Sequence, residues 1–135
     1  MKMRIPLAMF QATMYGLLTS HGQEVPVYDA VPAGTAAPYI TFGGFTCKQS
    51  GSKTGSAWDI SQQIHIWSEY QGKTEVNLIA DDISSLLTSY KLNMENAHFN
   101  VLSQDVDFFE AFEEEECGFH GVVTIVARVQ DLGGI

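Results

Sequence analysis

The sequence predicts one α+β domain in which two helices pack on one face of a mostly antiparallel sheet. Two segments carry apolar residues at helical spacing, and a third alternates apolar and polar residues as a strand does. The order is helix, short strand, two long strands, helix and two long strands, without a repeating strand–helix–strand unit. That order favours an antiparallel sheet. The length of 135 residues suits a single domain that spans residues 1–135.

The first helix is predicted over residues 5–20. Its apolar side chains form one stripe: Leu7, Phe10, Met14, Leu17 and Leu18. Gly22 follows in a position that suits a left-handed cap. Lys2 and Arg4 precede the apolar stretch as in a signal peptide, but polar residues interrupt the stretch and no cleavage site follows. We therefore expect an amphipathic helix and a protein that is cytosolic when made.

A short strand and a long strand come next. Residues 25–31 are mostly apolar, and residues 39–48 are rich in Ile, Thr and Phe, which is typical of a strand. Gly43 and Gly44 predict a bulge or a point of close approach in the long strand. Residues 49–57 are polar and glycine-rich, so we expect a long hairpin loop that is mobile in the free subunit.

The clearest alternation covers residues 58–70. The predicted apolar face carries Trp58, Ile60, Ile64, Ile66 and Tyr70. Trp67 is the exception, because it falls on the polar face. Residues 71–73 form a turn, and Thr74 suits the N-cap of the second helix. That helix is predicted to bury one stripe: Val76, Ile79, Ile83, Leu86, Leu87 and Tyr90.

Residues 98–112 and 118–130 are two further predicted strands. One face of the second strand carries Phe119, Val123, Ile125, Ala127 and Val129. Val122 and Val126 make its other face partly apolar, and such a strand is usually central or covered at an interface. An acidic run, Glu113–Glu116, lies between the two strands, where it can project from the domain.

The chain is strongly acidic, with 16 acidic residues against 7 basic ones and a formal charge of −9. A nucleic-acid binder needs a basic surface, so this charge argues against that class. It is compatible with solubility, with docking on a basic partner, or with lining a path for DNA without holding it. No apolar run is long enough to span a membrane. Cys47 and Cys117 are expected to be buried thiols.

The sequence offers no convincing catalytic, metal or cofactor site. Nucleotide-binding glycine loops, zinc-protease motifs and hydrolase motifs are missing from it. The four histidines lack a short ligand spacing. Adjacent carboxylates repel one another and usually stay solvated, whereas catalytic acids need distinct buried environments. We therefore expect that the chain is not an enzyme and uses no cofactor.

Subunit contacts are the remaining candidate sites. Most aromatic residues are needed for the core, whereas Trp67 and one of Phe108 or Phe109 are displaced onto an otherwise polar face. Interfaces recruit aromatic residues in such positions. The candidate interface or lumen residues are Trp67, Phe109, Glu113, Glu114, Glu115, Glu116, Ser50 and Lys53.

Three stretches carry a resemblance to a known family. The first comprises YDAVP from Tyr28 and APYITFG from Ala37. The second comprises IHIWS from Ile64, GKTE from Gly72 and the helix that follows, and the third begins with HGVV at His120. With the leading helix they cover nearly the whole chain. Their order and spacing resemble the tail completion family of long-tailed phages.

The resemblance implies an α+β subunit that assembles as a ring, expected to be a hexamer, at the head-proximal end of the tail tube. The ring would cap tube growth and join the tail to the filled head. Its expected partners are other copies of the chain, the major tail tube protein and a head-side connector protein. DNA would pass through without specific binding, and no membrane is involved. The implied location is the virion, with assembly in the host cytoplasm.

Two other classes remain open from the sequence. A connector or stopper on the head side of the joint has a similar size and also forms rings. A small ligand-binding α+β domain would need a pocket with convergent polar groups, and the sequence supplies no convincing set of them.

Overall fold

A computed structural model describes residues 4–50, 56–114 and 118–133. Its elements, in chain order, are α1 (Leu7–Leu18), β1 (Val27–Tyr28), β2 (Tyr39–Ser50), β3 (Ser56–Ser68), α2 (Thr74–Ser89), a short 3-10 helix (Glu95–Ala97), β4 (Phe99–Glu113) and β5 (Phe119–Asp131). The predicted α+β class is confirmed.

The five strands form one sheet in the order β1-β2-β3-β5-β4. The pairs β2–β3, β3–β5 and β5–β4 are antiparallel, and the two-residue strand β1 is parallel to β2. β5 therefore lies inside the sheet between β3 and β4. This position explains why Val122 and Val126 make its second face partly apolar.

Both helices cover the same face of the sheet, which we call the helix face. Gln62 of β3 points to this face and contacts Gln11 of α1. Gly121 of β5 faces α2, and a Cβ atom at this position would lie 2.4 Å from Cγ1 of Val76. The missing side chain thus allows α2 to approach the sheet closely. The largest fully buried apolar side chains between the layers are Phe10, Met14, Leu18, Ile40, Ile60, Ile64, Ile66, Ile83, Met94 and Ile125.

The predicted bulge in β2 is confirmed at Gly43 and Gly44, where the register with β3 shifts. Gln62 is fully buried beside it. Its amide nitrogen lies 3.2 Å from the Gly43 carbonyl oxygen and 3.3 Å from that of Gly44. Its amide oxygen accepts from Gln11 at 3.4 Å. A polar side chain on the buried face is tolerated here because the bulge supplies carbonyl partners.

Three residues predicted for apolar stripes are exposed instead. Tyr70 is 55% exposed because it follows the end of β3 in a turn. Tyr90 is 42% exposed, since it lies just beyond α2 in extended backbone, where its ring stacks on His21. Leu7 occupies the first turn of α1 and projects beyond the sheet-covered stripe. The rest of both helical stripes is buried as predicted, whereas Trp58 in the β3 stripe is only partly buried.

Several predicted boundaries also shift. Thr74 is the first residue of α2 rather than its N-cap, and no side chain caps this end. Pairing of Ser50 with Ala57 extends both hairpin strands into the predicted loop, because polar residues are accommodated at the end of a ladder. The predicted loop is therefore shorter than residues 49–57, and residues 51–55 lie outside the described residues, so its mobility stays a prediction. The short strand shrinks to Val27–Tyr28.

Within the described residues, no helix has the length and apolar character needed to cross a membrane. Cys47 is half-buried in β2 with a free thiol, and burial raises the pKa of that thiol. Cys117 lies outside the described residues.

Candidate assembly surface

The second face of the sheet, opposite the helices, carries a row of rings that crosses four strands. We call this side the open face. Cross-strand pairing places Tyr39, Trp67, His120 and Phe112 side by side. The ring centroids of Trp67 and His120 lie 3.8 Å apart and nearly parallel. Those of Tyr39 and Trp67 are 6.4 Å apart, and those of Phe112 and His120 are 4.8 Å apart. Such spacings give favourable ring contacts.

A hydrogen bond and burial hold the rings of this row in place. The Trp67 indole nitrogen donates to the Thr41 hydroxyl at 3.0 Å. His120 is 6% exposed, which is unusual for a side chain on an uncovered sheet face. It is buried because Trp67 and Phe112 enclose its ring. The open face is therefore ordered by contacts within one subunit.

A chain of three titratable groups runs through this cluster. Nδ1 of His65 lies 2.6 Å from Nε2 of His120, and Nδ1 of His120 lies 2.7 Å from a carboxylate oxygen of Glu114. One tautomer set satisfies all contacts when both rings are neutral. In it, His120 donates from Nδ1 to Glu114, and His65 donates from Nδ1 to His120.

Gly43 makes room for the His65 ring. A Cβ atom at Gly43 would lie 2.1 Å from Nε2 of His65. Gly43 is therefore the point of close approach that the sequence predicts, because its missing side chain leaves space for the His65 ring. Because the ring is buried there, the pKa of His65 is lowered, and the neighbouring His120 lowers it further.

These groups do not form a metal site in this arrangement. The nitrogen atoms of His65 and His120 bond to each other, and Glu114 is engaged by His120. Over residues 4–50, 56–114 and 118–133, no three His, Cys, Asp or Glu side chains are placed to share a metal ion. The cluster is best described as a structural network that couples β3, β5 and the end of β4.

We predict that His65 makes the subunit less stable in mild acid. Its pKa is lowered in the folded state, so the unfolded chain binds the proton first as the pH falls. The free energy of unfolding should therefore decline below about pH 6.5, the ordinary pKa of histidine. Urea unfolding at pH 8, 6.5 and 5.5 measures this decline, and His65→Gln should reduce it.

His98→Asn is the matched control for that experiment. His98 is exposed and has a positive φ of 61°, a conformation that asparagine tolerates. The control should keep the decline of the parent protein. A decline that is equally steep in His65→Gln would show that other groups cause it.

The structure separates the predicted site residues. Trp67 lies at the centre of the open-face row. One of Phe108 or Phe109 is predicted on the polar face, and Phe109 pairs with Val123 on the helix face, so its role at an interface stays a prediction. Its neighbour Phe108 pairs with Thr124 on the open face instead. β4 contains two bulges, at Leu102 and Asp107, and each of them reverses the alternation of the strand.

The acidic run is divided. Glu113 ends β4, pairs with Phe119 and is exposed, whereas Glu114 binds His120 and is thus not a freely projecting charge. Its partner histidine lies close enough to form an ion pair when protonated. Ser50 is half-buried at the end of β2. Glu115, Glu116 and Lys53 lie outside the described residues.

β4 concentrates exposed apolar surface at the edge of the sheet. Leu102 and Phe108 are about half exposed, at 51% and 52%. Phe109 and Phe112 are each 37% exposed. Large apolar side chains clustered on an exposed strand are typical of a surface that a partner covers.

Solved structures share this fold, and the following two are among them. A chain in the structure titled "Virion of native gene transfer agent (GTA) particle" is 22% identical, with a TM-score of 0.73 over 89% of this chain and 93% of that chain. The structure titled "Structure of bacteriophage SPP1 gp17 protein" is 16% identical, with a TM-score of 0.58 over 94% of this chain and 93% of that chain. At these identities the likeness shows the fold.

Sequence comparison identifies the family directly. No curated protein matches the chain. The family model described as "Tail completion protein gp17" matches residues 12–130. This range begins within α1, ends one residue before the end of β5, and contains every helix and strand between them. The chain therefore belongs to the tail completion protein gp17 family.

Proposed function

We propose that this chain is a structural subunit that assembles as a ring, a hexamer in our proposal, at the head-proximal end of a phage tail tube. The ring ends tube growth and provides the surface that joins the tail to the head. The family match over residues 12–130 carries this proposal. The partners are other copies of the chain, the major tail tube protein and a head-side connector protein.

The described surface supports a role in assembly rather than in chemistry. The histidine network is satisfied within the subunit, and β4 alone carries four exposed large apolar side chains. A catalytic site would instead need titratable groups that converge on a space open to a substrate. We therefore propose a non-enzymatic role in the virion, with the subunit assembling in the host cytoplasm.

The charge supports passage of DNA through the ring. A formal charge of −9 on each subunit repels phosphates, so DNA can move past without being held. At 0.15 M salt this repulsion extends only about 8 Å, so it acts close to the wall of the lumen.

Removal of the gene from its phage or prophage is expected to leave filled heads and tails that do not join. The tails should also vary in length, because nothing ends tube growth. Electron microscopy of the lysate measures both effects, and the wild-type gene supplied in trans should reverse them. Antibody labelling should find the protein at one end of purified tails.

Two outcomes would contradict this function. Labelling of tail-free heads, with none on purified tails, would assign the protein to the head side of the joint. Tight binding of duplex DNA by the purified protein at 0.15 M salt would contradict the proposed passage of DNA.

A further inference from the structure

We infer that copies of this chain join through opposite edges of the sheet, with β4 of one subunit beside β2 of the next. This inference rests on the proposed ring and names the surfaces that build it. The partner is a second copy of the chain in a head-to-tail arrangement. Such an arrangement uses two different surfaces and closes into a ring when the rotation allows it.

The first observation is that both edges of the sheet are open over long stretches. β4 spans 15 residues, and within the described residues only β5 pairs with it. On the other side, β1 covers β2 only at Ile40 and Thr41. Residues 42–50 of β2 therefore have one unpaired side in the described part of the chain. Unpaired strand edges offer backbone donors and acceptors to another strand.

The second observation is that the two edges carry opposite charge. β4 contains four exposed acidic residues and no basic one: Asp105, Asp107, Glu110 and Glu113. β2 contains Lys48 as its single charged residue, and this side chain is exposed. Among the described residues Lys48 forms no ion pair, because the nearby Asp59 binds Arg128 at 2.8 Å.

The charges also project from the same side of the sheet. Asp105 pairs with Val126 and Glu110 pairs with Val122, which places both acids on the open face. Lys48 pairs with Asp59, which is also on the open face. When a sheet continues from one subunit to the next, side chains on one face remain on that face. Lys48 of one copy and the acids of β4 in its neighbour therefore meet on one surface.

Strand direction fits this pairing. Three successive antiparallel pairs separate β2 from β4, so the two edge strands run in opposite directions. A copy rotated about an axis along the strands brings its β2 beside β4 with the antiparallel alternation unbroken. A two-fold axis would instead place β4 against β4. That contact would bring eight carboxylates together, which opposes it electrostatically.

The exposed phenylalanines would gain cover at such an edge. Phe108 and Phe112 flank Glu110 on the open face. Large side chains on β4 reach across to a strand that lies about 5 Å away. The bulges of β4 near Leu102 and Asp107 interrupt regular pairing, so we expect the contact to combine short ladder segments with side-chain packing.

A charge-exchange experiment tests the inference. One variant carries Lys48→Glu, and the second carries Asp105→Lys with Glu110→Lys. Each variant alone places like charges at every contact, so its association constant per contact should fall about tenfold. Sedimentation velocity over a concentration series at 0.15 M salt measures self-assembly in solution. In the deletion strain, the number of joined particles that each variant restores measures assembly on tails.

An equimolar mixture of the two variants should restore assembly. In an alternating ring, one contact has the wild-type charges and the next has them exchanged. The matched controls are Lys73→Glu, and Asp82→Lys with Glu69→Lys, which make the same charge changes at exposed positions outside both edges. They should assemble like the parent protein. Melting temperatures confirm that every variant is folded.

The outcomes separate the inference from the proposed function. Normal assembly of Lys48→Glu, with a defect only in the β4 variant, would overturn the β4–β2 contact in favour of another surface. Two defective variants that fail to complement each other would overturn it too. A wild-type protein that assembles neither in solution nor on tails would contradict the ring itself.

Discussion

Replacing Ile83 with alanine is expected to lower the free energy of unfolding by about 2–5 kcal/mol. Ile83 lies in the middle of α2 and has no solvent exposure. It belongs to the core between α2 and the sheet, where the surrounding side chains are held by two layers of secondary structure. Truncation would remove buried methyl groups and leave a cavity, because close-packed neighbours collapse only in part.

Ile64 provides the corresponding test on the sheet. It is also fully buried, and it lies between Phe42 on β2 and Val123 on β5. Ile64→Ala should therefore show a loss in the same range. Leu78→Ala is the control on α2, because Leu78 is 59% exposed and should change stability by no more than about 0.5 kcal/mol. Losses below about 1 kcal/mol at both isoleucines would mean that the faces are wrongly assigned.

The fold class could be predicted because period decides which face of an element is buried. In α2, the spacing of Val76, Ile79 and Ile83 admits one helical stripe, and the structure buries it. In β5, alternation from Val123 to Val129 selects one face. Tyr70 and Tyr90 broke the pattern because they lie past the ends of their elements. A large aromatic there matches the period but has no layer to pack against.

Two bulges of β4 explain why the sequence did not decide between Phe108 and Phe109. Extra residues at Leu102 and Asp107 each reverse the alternation of β4 against β5, and together they return Phe109 to the face of Phe99. Two adjacent phenylalanines therefore looked equivalent. Pairing places Phe108 on the open face and Phe109 beside α2.

The histidine network was missed for a related reason. His65 and His120 are 55 positions apart, and their contact depends on the register between β3 and β5. No short spacing signals such a pair. The useful signals were local ones. Gly43 indicated a close approach in β2, and Trp67 stood out as a large ring on a polar face.

Glu114 shows how the same limit affects charge. A run of four carboxylates predicts a solvated segment when it is considered alone. In the fold, the end of β4 brings Glu114 to His120, which buries part of its charge in an ion pair or hydrogen bond. The charge that we propose to face a lumen or a neighbouring subunit is therefore better represented by the exposed acids of β4 than by Glu114.

Replacing Trp67 with alanine is expected to lower the free energy of unfolding by about 2–4 kcal/mol, somewhat below the cost for a fully buried tryptophan. The indole ring covers His120 at a centroid distance of 3.8 Å and donates a hydrogen bond to Thr41. Its removal would expose His120 and leave the Thr41 hydroxyl without this donor. Urea unfolding measures the loss, and the half-exposed Phe108, replaced by alanine, should lose at most about 0.5 kcal/mol.

Trp67→Phe separates the two contributions within the subunit. It keeps an aromatic ring over His120 and removes the indole donor, so it should lose about 1 kcal/mol. The predicted role of Trp67 at a subunit interface needs a separate measurement. Assembly is measured without urea, under conditions where every variant is folded. If Trp67→Ala loses less than about 1 kcal/mol and still fails to assemble, the residue acts mainly between subunits. If it loses stability as expected and assembles normally once folded, the row of aromatic rings on the open face stabilises the fold of the single subunit. The contacts between subunits then lie elsewhere, and the edges of the sheet are the first surfaces to test.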